Sequence, residues 1–499
     1  MKPSINVVLH AHIPWVKRAG RWPFGEEWLF QAMLGTYIPL LDMLERLSSF
    51  RVRGAITLGI TPVLIEMLRD RYLMGEFDTY LNSRLALLEG DLARFSDDDP
   101  LQKLAYGARS TILAFQERWS TTYERDLILP ITSLAQRHEI EIVTSAATHA
   151  YLPMLESEAA VEAQIATGIA TTVDAFGVTP AGIWLPECAY DPRLVPLLER
   201  FGLRYFFADE RVLALDVAPS RPFRVPDSKL AYFLRDPLAR GEVMDSDLGY
   251  PGTEWCREFY KRDSYSGMRY WRVTSRTATL DEKLPYDPDR ALAAVDAQAS
   301  DFAQKVALRG AGGQSPYLVL TFDAELFGHW WGEGIAWLEQ ALLKIQQEGV
   351  ADFVLPSAYL DAHPASEAHT LPRCSWGVGA DDRTWDNPKT SAYWETVRDA
   401  QHRFEDLARR YGPGAPFVAQ AARELFLLQS SDWPFLLTMG DAGDYPAERI
   451  STHATRFAAC AAAAAGAPFD PTVLSGAEHA DTAFRNLKID ASARAADLA

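Results

Sequence analysis

The chain has 499 residues, more than one compact core usually organises, so two or three domains around one large core are expected. Its formal charge of −18 repels nucleic acid and anionic membranes and leaves a neutral substrate as the easier partner. Four scattered cysteines, Cys188, Cys256, Cys374 and Cys460, form no metal or disulfide pattern, the first apolar run is too short for a signal core, and no later segment reaches membrane-spanning length; a cytoplasmic protein with reduced thiols is expected.

The first apolar run, 5–9, reads as a strand and ends in His10-Ala11-His12-Ile13-Pro14-Trp15. Alternate residues of an extended chain share a face, so His10 and His12 point the same way. Three readings of the pair stay open: metal ligands lacking an evident third, one core and one surface histidine, or neutral hydrogen-bonders to sugar hydroxyls. A second strand is predicted at 54–58. From 69 to 126 no strand pattern occurs, and Leu81, Leu85, Leu88 and Leu92 keep helical spacing, which predicts a helical insertion between two parts of one catalytic unit, 1–68 and 127–365.

Further strands are predicted at 140–145, followed by Thr148-His149, at 181–185, 205–208, 317–322 and 353–355. Helical patterns separate most of them, so parallel βαβ units in a barrel or barrel-like sheet are expected. Such barrels place their chemistry at the C-terminal rim, where His10, His12, His149, Glu187, Asp209 and Asp323 all fall. Two of these carry most weight. In Gly182-Ile183-Trp184-Leu185-Pro186-Glu187 and Leu320-Thr321-Phe322-Asp323 a carboxylate closes an apolar strand, an expensive position unless the group is paired or used. Glu325 follows Asp323 closely but shares its side only if the strand continues, so Asp323 is preferred. His329, Trp330 and Trp331 complete a dense segment. The residues 366–499 predict a helical C-terminal domain whose tail, from about Ser475, is small, polar and expected to be loosely held. The 14 Trp and 19 Tyr offer flat faces suited to sugar rings as well as to a core.

These segments resemble, in order and wording, the five motif regions of glycoside hydrolase family 57, and within it the 1,4-α-glucan (glycogen) branching enzymes. The resemblance rests on His10-Ala11-His12, the Thr148-His149 strand, the Glu187 and Asp323 strands, Tyr270-Trp271-Arg272-Val273-Thr274, Trp376, and Ser430-Ser431-Asp432-Trp433-Pro434-Phe435. It implies an incomplete (β/α)7 TIM-like barrel with an inserted helical domain and a C-terminal α-helical domain. It implies retaining chemistry without metal or cofactor, with Glu187 as nucleophile and Asp323 as general acid/base, on an α-glucan such as amylose or glycogen. The implied substrate-binding set is His10, His12, Trp28, His149, Tyr250, Trp271, His329, Trp376, Trp385 and Trp433. Tyr250, in Leu248-Gly249-Tyr250-Pro251-Gly252, is expected to cover the cleft as an aromatic lid, the alternative being a plain turn. Met244, where branching enzymes often place Trp, and the loop 377–382 depart from the pattern. Competing readings are a 4-α-glucanotransferase or amylase of the same family, a non-catalytic glucan-binding protein, and a metal-dependent hydrolase using the His pair.

Overall fold

The structure, a computed structural model, describes residues 2–212, 220–245, 249–310, 316–484 and 487. Nine strands form one sheet: β1 (Ser4–Ala11), β2 (Ile56–Ile60), β3 (Ile140–Ser145), β4 (Gly182–Trp184), β5 (Tyr205–Ala208), β6 (Phe223–Arg224), β7 (Ala231–Leu234), β8 (Tyr317–Asp323) and β9 (Asp352–Phe353). Their order is β6-β7-β5-β4-β3-β2-β1-β8, with β9 also on β1. All neighbours run parallel except β6 and β7. The curled sheet is an incomplete barrel: β7 and β8 share no ladder, and Asp236, just beyond β7, donates its N–H to the Val319 carbonyl of β8 at 2.7 Å.

Alternation sorts the strand residues between two environments. Ile5, Val7 and Leu9 of β1 and Leu318, Leu320 and Phe322 of β8 pack outward against helices. Val8, Val143, Trp184, Tyr205, Phe207, Phe233, Tyr317 and Val319 fill the interior. The same alternation carries His10 and Asp323, paired in register across β1 and β8, to the inner face at the C-terminal rim.

Helices Arg71–Arg94 and Pro100–Glu117 lie between β2 and β3, each started by an aspartate, Asp70 or Asp99, whose carboxylate accepts first-turn N–H groups. After β9 the chain is helical, through Ser391–Tyr411, Pro416–Leu428, Asp432–Met439, Tyr445–Ala464 and Pro471–Ala480. The expectation of a loose tail from Ser475 fails as far as Phe484. Small Ala477 and Ala480 pack closely, Asp481 is buried against Arg456 at 2.5 Å, and Phe484 is 2 % exposed. Strands β6 and β7 were not anticipated: Pro222 and Pro226 interrupt the apolar pattern there, and Asp227 turns the chain in a left-handed conformation. The four cysteines are free and buried. Among the described residues no helix is long and apolar enough to cross a membrane.

Candidate active site

A cleft of about 470 Å³ opens at the rim, and His10, His12, Trp28, His149, Glu187, Asp323, Trp376 and Trp385 all line it. Glu187 sits one turn beyond β4 in a left-handed conformation, φ 62° and ψ 23°. Such backbone is costly for a residue with a Cβ and clusters at functional positions. Its two carboxylate oxygens are separately engaged: Oε1 accepts from Ser431 Oγ at 2.7 Å and Oε2 from Trp376 Nε1 at 2.8 Å. Burial raises the Glu187 pKa above the usual carboxylate range, and these two donors oppose the rise.

Asp323 has the stronger shift. Burial, then the negative charges of Glu325 and Glu187, hold its pKa well above the usual value, against His12 and Arg235. Glu187 and Asp323 therefore sit in environments that separate them, one partly stabilised as carboxylate, the other pushed toward the carboxylic acid. Arg235 is fixed by Asp209, Nη2 to Oδ2 at 2.5 Å.

Hydrogen-bond direction fixes the histidine tautomers. Ser431 gives its hydroxyl proton to Glu187, so its oxygen accepts from His149 Nδ1–H at 2.8 Å. His149 Nε2 is then the acceptor for His10 Nε2–H at 2.9 Å. The result is a wire of neutral groups, His10 to His149 to Ser431, ending on the Glu187 carboxylate. Burial lowers the pKa of both His10 and His149 well below 6.5, which fits. His12 differs: burial works against its charge, but Asp432 at 2.9 Å, with Glu187 and Glu325, raises its pKa. Ligand atoms of His12, His149 and Asp432 lie within 4.8 Å of one another, a grouping that could hold a metal ion, though each is engaged in the hydrogen bonds just described.

Other expected site residues fall elsewhere. Trp433 is fully buried with Nε1 donating to the Leu427 carbonyl; its neighbour Asp432 lines the cleft instead, and Ser431, itself buried, reaches Glu187. Tyr250 does not cover the cleft. Its ring is 8 % exposed against Trp337 and its hydroxyl donates to Asp301 at 2.6 Å, because a large aromatic is better placed in that core than over solvent; Leu248 of the same motif lies outside the described residues. Trp271 packs beneath Lys261 Nζ at 4.7 Å, and His329 lines a different cavity, neither reaching the cleft. Trp28, Trp376 and Trp385 are in place, joined by Trp330, which is 43 % exposed.

Glu325 is buried, with Oε1 accepting the His12 N–H at 3.0 Å and the Tyr37 hydroxyl, and its pKa is pushed up by burial to about 7. Sequence reasoning missed Ser431, Asp432 and Arg235. The first two stand in a motif whose tryptophan is the more conspicuous residue, and Arg235 follows the short strand β7, which comes after the proline-interrupted segment around Pro222 and Pro226.

Residues 6–372 match the model of glycosyl hydrolase family 57, and 396–491 match the C-terminal region of 1,4-alpha-glucan branching enzymes. A 1,4-alpha-glucan branching enzyme of Thermococcus kodakarensis is 38 % identical over 92 % of this chain and 73 % of its own. A probable 1,4-alpha-glucan branching enzyme of Mycobacterium tuberculosis is 32 % identical over 96 % of both. The crystal structure of the Thermococcus protein, in complex with glucose and additives, superposes with a TM-score of 0.93 at 35 % identity, covering 99 % of this chain and 96 % of that one. An alpha-amylase of Thermotoga maritima gives 0.87 at 29 % identity and 99 % coverage of both.

Proposed function

The chain belongs to glycosyl hydrolase family 57, and from that premise we infer that it is a 1,4-α-glucan branching enzyme acting on amylose-like and glycogen-like chains. The observation that carries the reading is that the region matching the branching-enzyme C-terminal model supplies Ser431 to Glu187 and Asp432 to His12 at the cleft.

In the proposed reaction Glu187 attacks the anomeric carbon while Asp323, whose pKa burial and the neighbouring carboxylates raise, gives its proton to the departing O4. The donor chain is held as an ester of Glu187. Asp323, now a base, takes the proton of an acceptor 6-hydroxyl, whose oxygen attacks the same carbon and releases Glu187. The α-1,4 linkage broken is replaced by an α-1,6 linkage of the same configuration. Ser431 and Trp376 hold the carboxylate of Glu187 oriented and partly offset its burial. The indoles of Trp28, Trp376 and Trp330 offer stacking faces and help to keep water from the ester, while Trp385 is 1 % exposed and stacks on Tyr151.

The likeness to an alpha-amylase favours hydrolysis as the second reading, since both reactions use the same pair of acids. Incubation with amylose separates them: proton NMR should show new α-1,6 anomeric signals without a matching rise in reducing ends. Reducing ends alone would overturn branching. Turnover by Glu187→Gln comparable to wild type would remove the proposed nucleophile.

A further inference from the structure

A second cavity, of about 730 Å³, shares two elements with the catalytic cleft. On helix Glu26–Ala32, Glu27 and Gln31 face this cavity whereas Trp28 faces the cleft; in the segment after β8, His329 lines it whereas Trp330 lines the cleft. Four arginines converge on it: Arg84, Arg257, Arg262 and Arg269. Three of them spend hydrogen bonds on backbone carbonyls. Arg84 Nη2 donates to Ser266 O at 2.6 Å, Arg257 Nη1 to Arg269 O at 2.8 Å, and Arg269 Nη1 to His329 O at 2.6 Å. Arg262 lies over the rings of Trp22, at 5.6 Å, and Phe259, at 5.8 Å, and among the described residues makes no hydrogen bond.

Among the described residues no carboxylate forms an ion pair with any of the four. The nearby acids are committed elsewhere, Asp263 to Arg94 at 2.6 Å, Glu258 to Lys283 at 2.9 Å and Glu27 to Arg21 at 3.5 Å. The cost is visible: burial and the neighbouring guanidiniums push Arg269 down to about 9 and hold His329 at about 3. Concentrating like charges in a half-buried cavity opposes folding, and a chain of −18 has carboxylates to spare for neutralising them. An arrangement that leaves the forks unpaired is what recognition of an external oxyanion requires, since guanidinium matches carboxylate and phosphate in bidentate geometry. Trp22, 59 % exposed, and Tyr265, 54 % exposed, each with one face beside an arginine, add exposed aromatic surface of the kind that stacks on sugar rings.

We propose that this cavity is a binding site for an oxyanion carried by a sugar, a phosphorylated or carboxylated hexose or chain end, separate from the two catalytic acids. The test is calorimetric titration of the full chain at low ionic strength with glucose 6-phosphate, glucuronate, inorganic phosphate and glucose. At least one of the two charged sugars should bind more tightly than inorganic phosphate. Arg262→Gln should weaken that binding about tenfold, the loss of roughly one charge-assisted contact. Its branching of neutral amylose should stay unchanged, so the outcome is independent of the function proposed above. Arg84→Gln should weaken the same binding. Absence of binding by every oxyanion, or binding indifferent to both substitutions, would overturn the site. Affinity for inorganic phosphate equal to that for the charged sugars would overturn the sugar component.

Discussion

Ser431 joins two residues that lie 282 and 244 positions away in the chain, His149 and Glu187, with a single hydroxyl. Its proton favours the charged form of Glu187, so removing it leaves burial less opposed and the Glu187 pKa rises further. The nucleophile must be ionised to attack. Ser431→Ala should therefore move the acidic limb of the pH–rate profile for branching to higher pH by about one unit, the size expected for one hydrogen bond to a charged group. Ser431→Thr, which keeps the hydroxyl, should leave the limb in place. An alanine variant with an unmoved limb would show that Ser431 does not tune Glu187. At this scale Glu187 and Asp323 were readable because each ends an apolar strand, a property of local sequence. Ser431 was not, because its role depends on what it faces. Trp433 misled for the complementary reason: indoles serve cores as readily as grooves, and only packing decides.

Elements position the rim through close approaches that single glycines permit. Helix Glu158–Phe176 crosses the end of β3 at Gly168, where an added Cβ would stand 2.0 Å from the Ser145 carbonyl oxygen. In an ordinary exposed helix Gly→Ala stabilises by up to about 1 kcal/mol. Here the sign should reverse. Gly168→Ala must separate helix from strand, with an expected loss of about 1–3 kcal/mol in urea unfolding, and the loop carrying Thr148 and His149 should shift with it and lower the branching rate. A gain in stability would show that the helix can yield without disturbing the strand. The parallel strands were legible from apolar runs bounded by polar rim residues. The hairpin β6–β7 was hidden by Pro222 and Pro226, and helix Pro471–Ala480 by the smallness of its residues, which is what lets it pack.

Across the whole molecule, the C-terminal helices close on the barrel rim through contacts no local pattern announces: Ser431 N–H to the His149 carbonyl at 3.0 Å, and Trp15 Nε1 to the Ala480 carbonyl at 3.2 Å. That closure buries many ionisable groups, and their shifts set how stability follows pH. Burial raises Glu141, Glu187, Asp323, Glu325 and Glu424, and lowers His10, His149, His329 and His453. Between about pH 4.5 and 6.5, the unfolded chain carries extra protons on these four histidines, and the folded chain on up to five carboxyls. The two effects oppose each other, so stability should be flattest there. Above about pH 7.5 the four histidines are neutral in both states, and the remaining difference comes from the most strongly raised carboxyls, Asp323, Glu325 and Glu424, which release their protons at higher pH in the folded than in the unfolded chain. Stability must then fall as pH rises through their folded pKa values, by up to about 1.4 kcal/mol per pH unit for each group. Below 4.5 these carboxyls are protonated in both states and the histidines charge only on unfolding, so stability falls again as pH drops. Carboxylates held low by partners, such as Asp263 beside Arg94, steepen that limb. Calorimetric melting from pH 3 to 9 should give a plateau with two falling shoulders. A Tm with no fall between about pH 7.5 and 9 would mean that these strongly raised carboxyls are already ionised in the folded protein, and the acid proposed to protonate the leaving oxygen would have no proton to give.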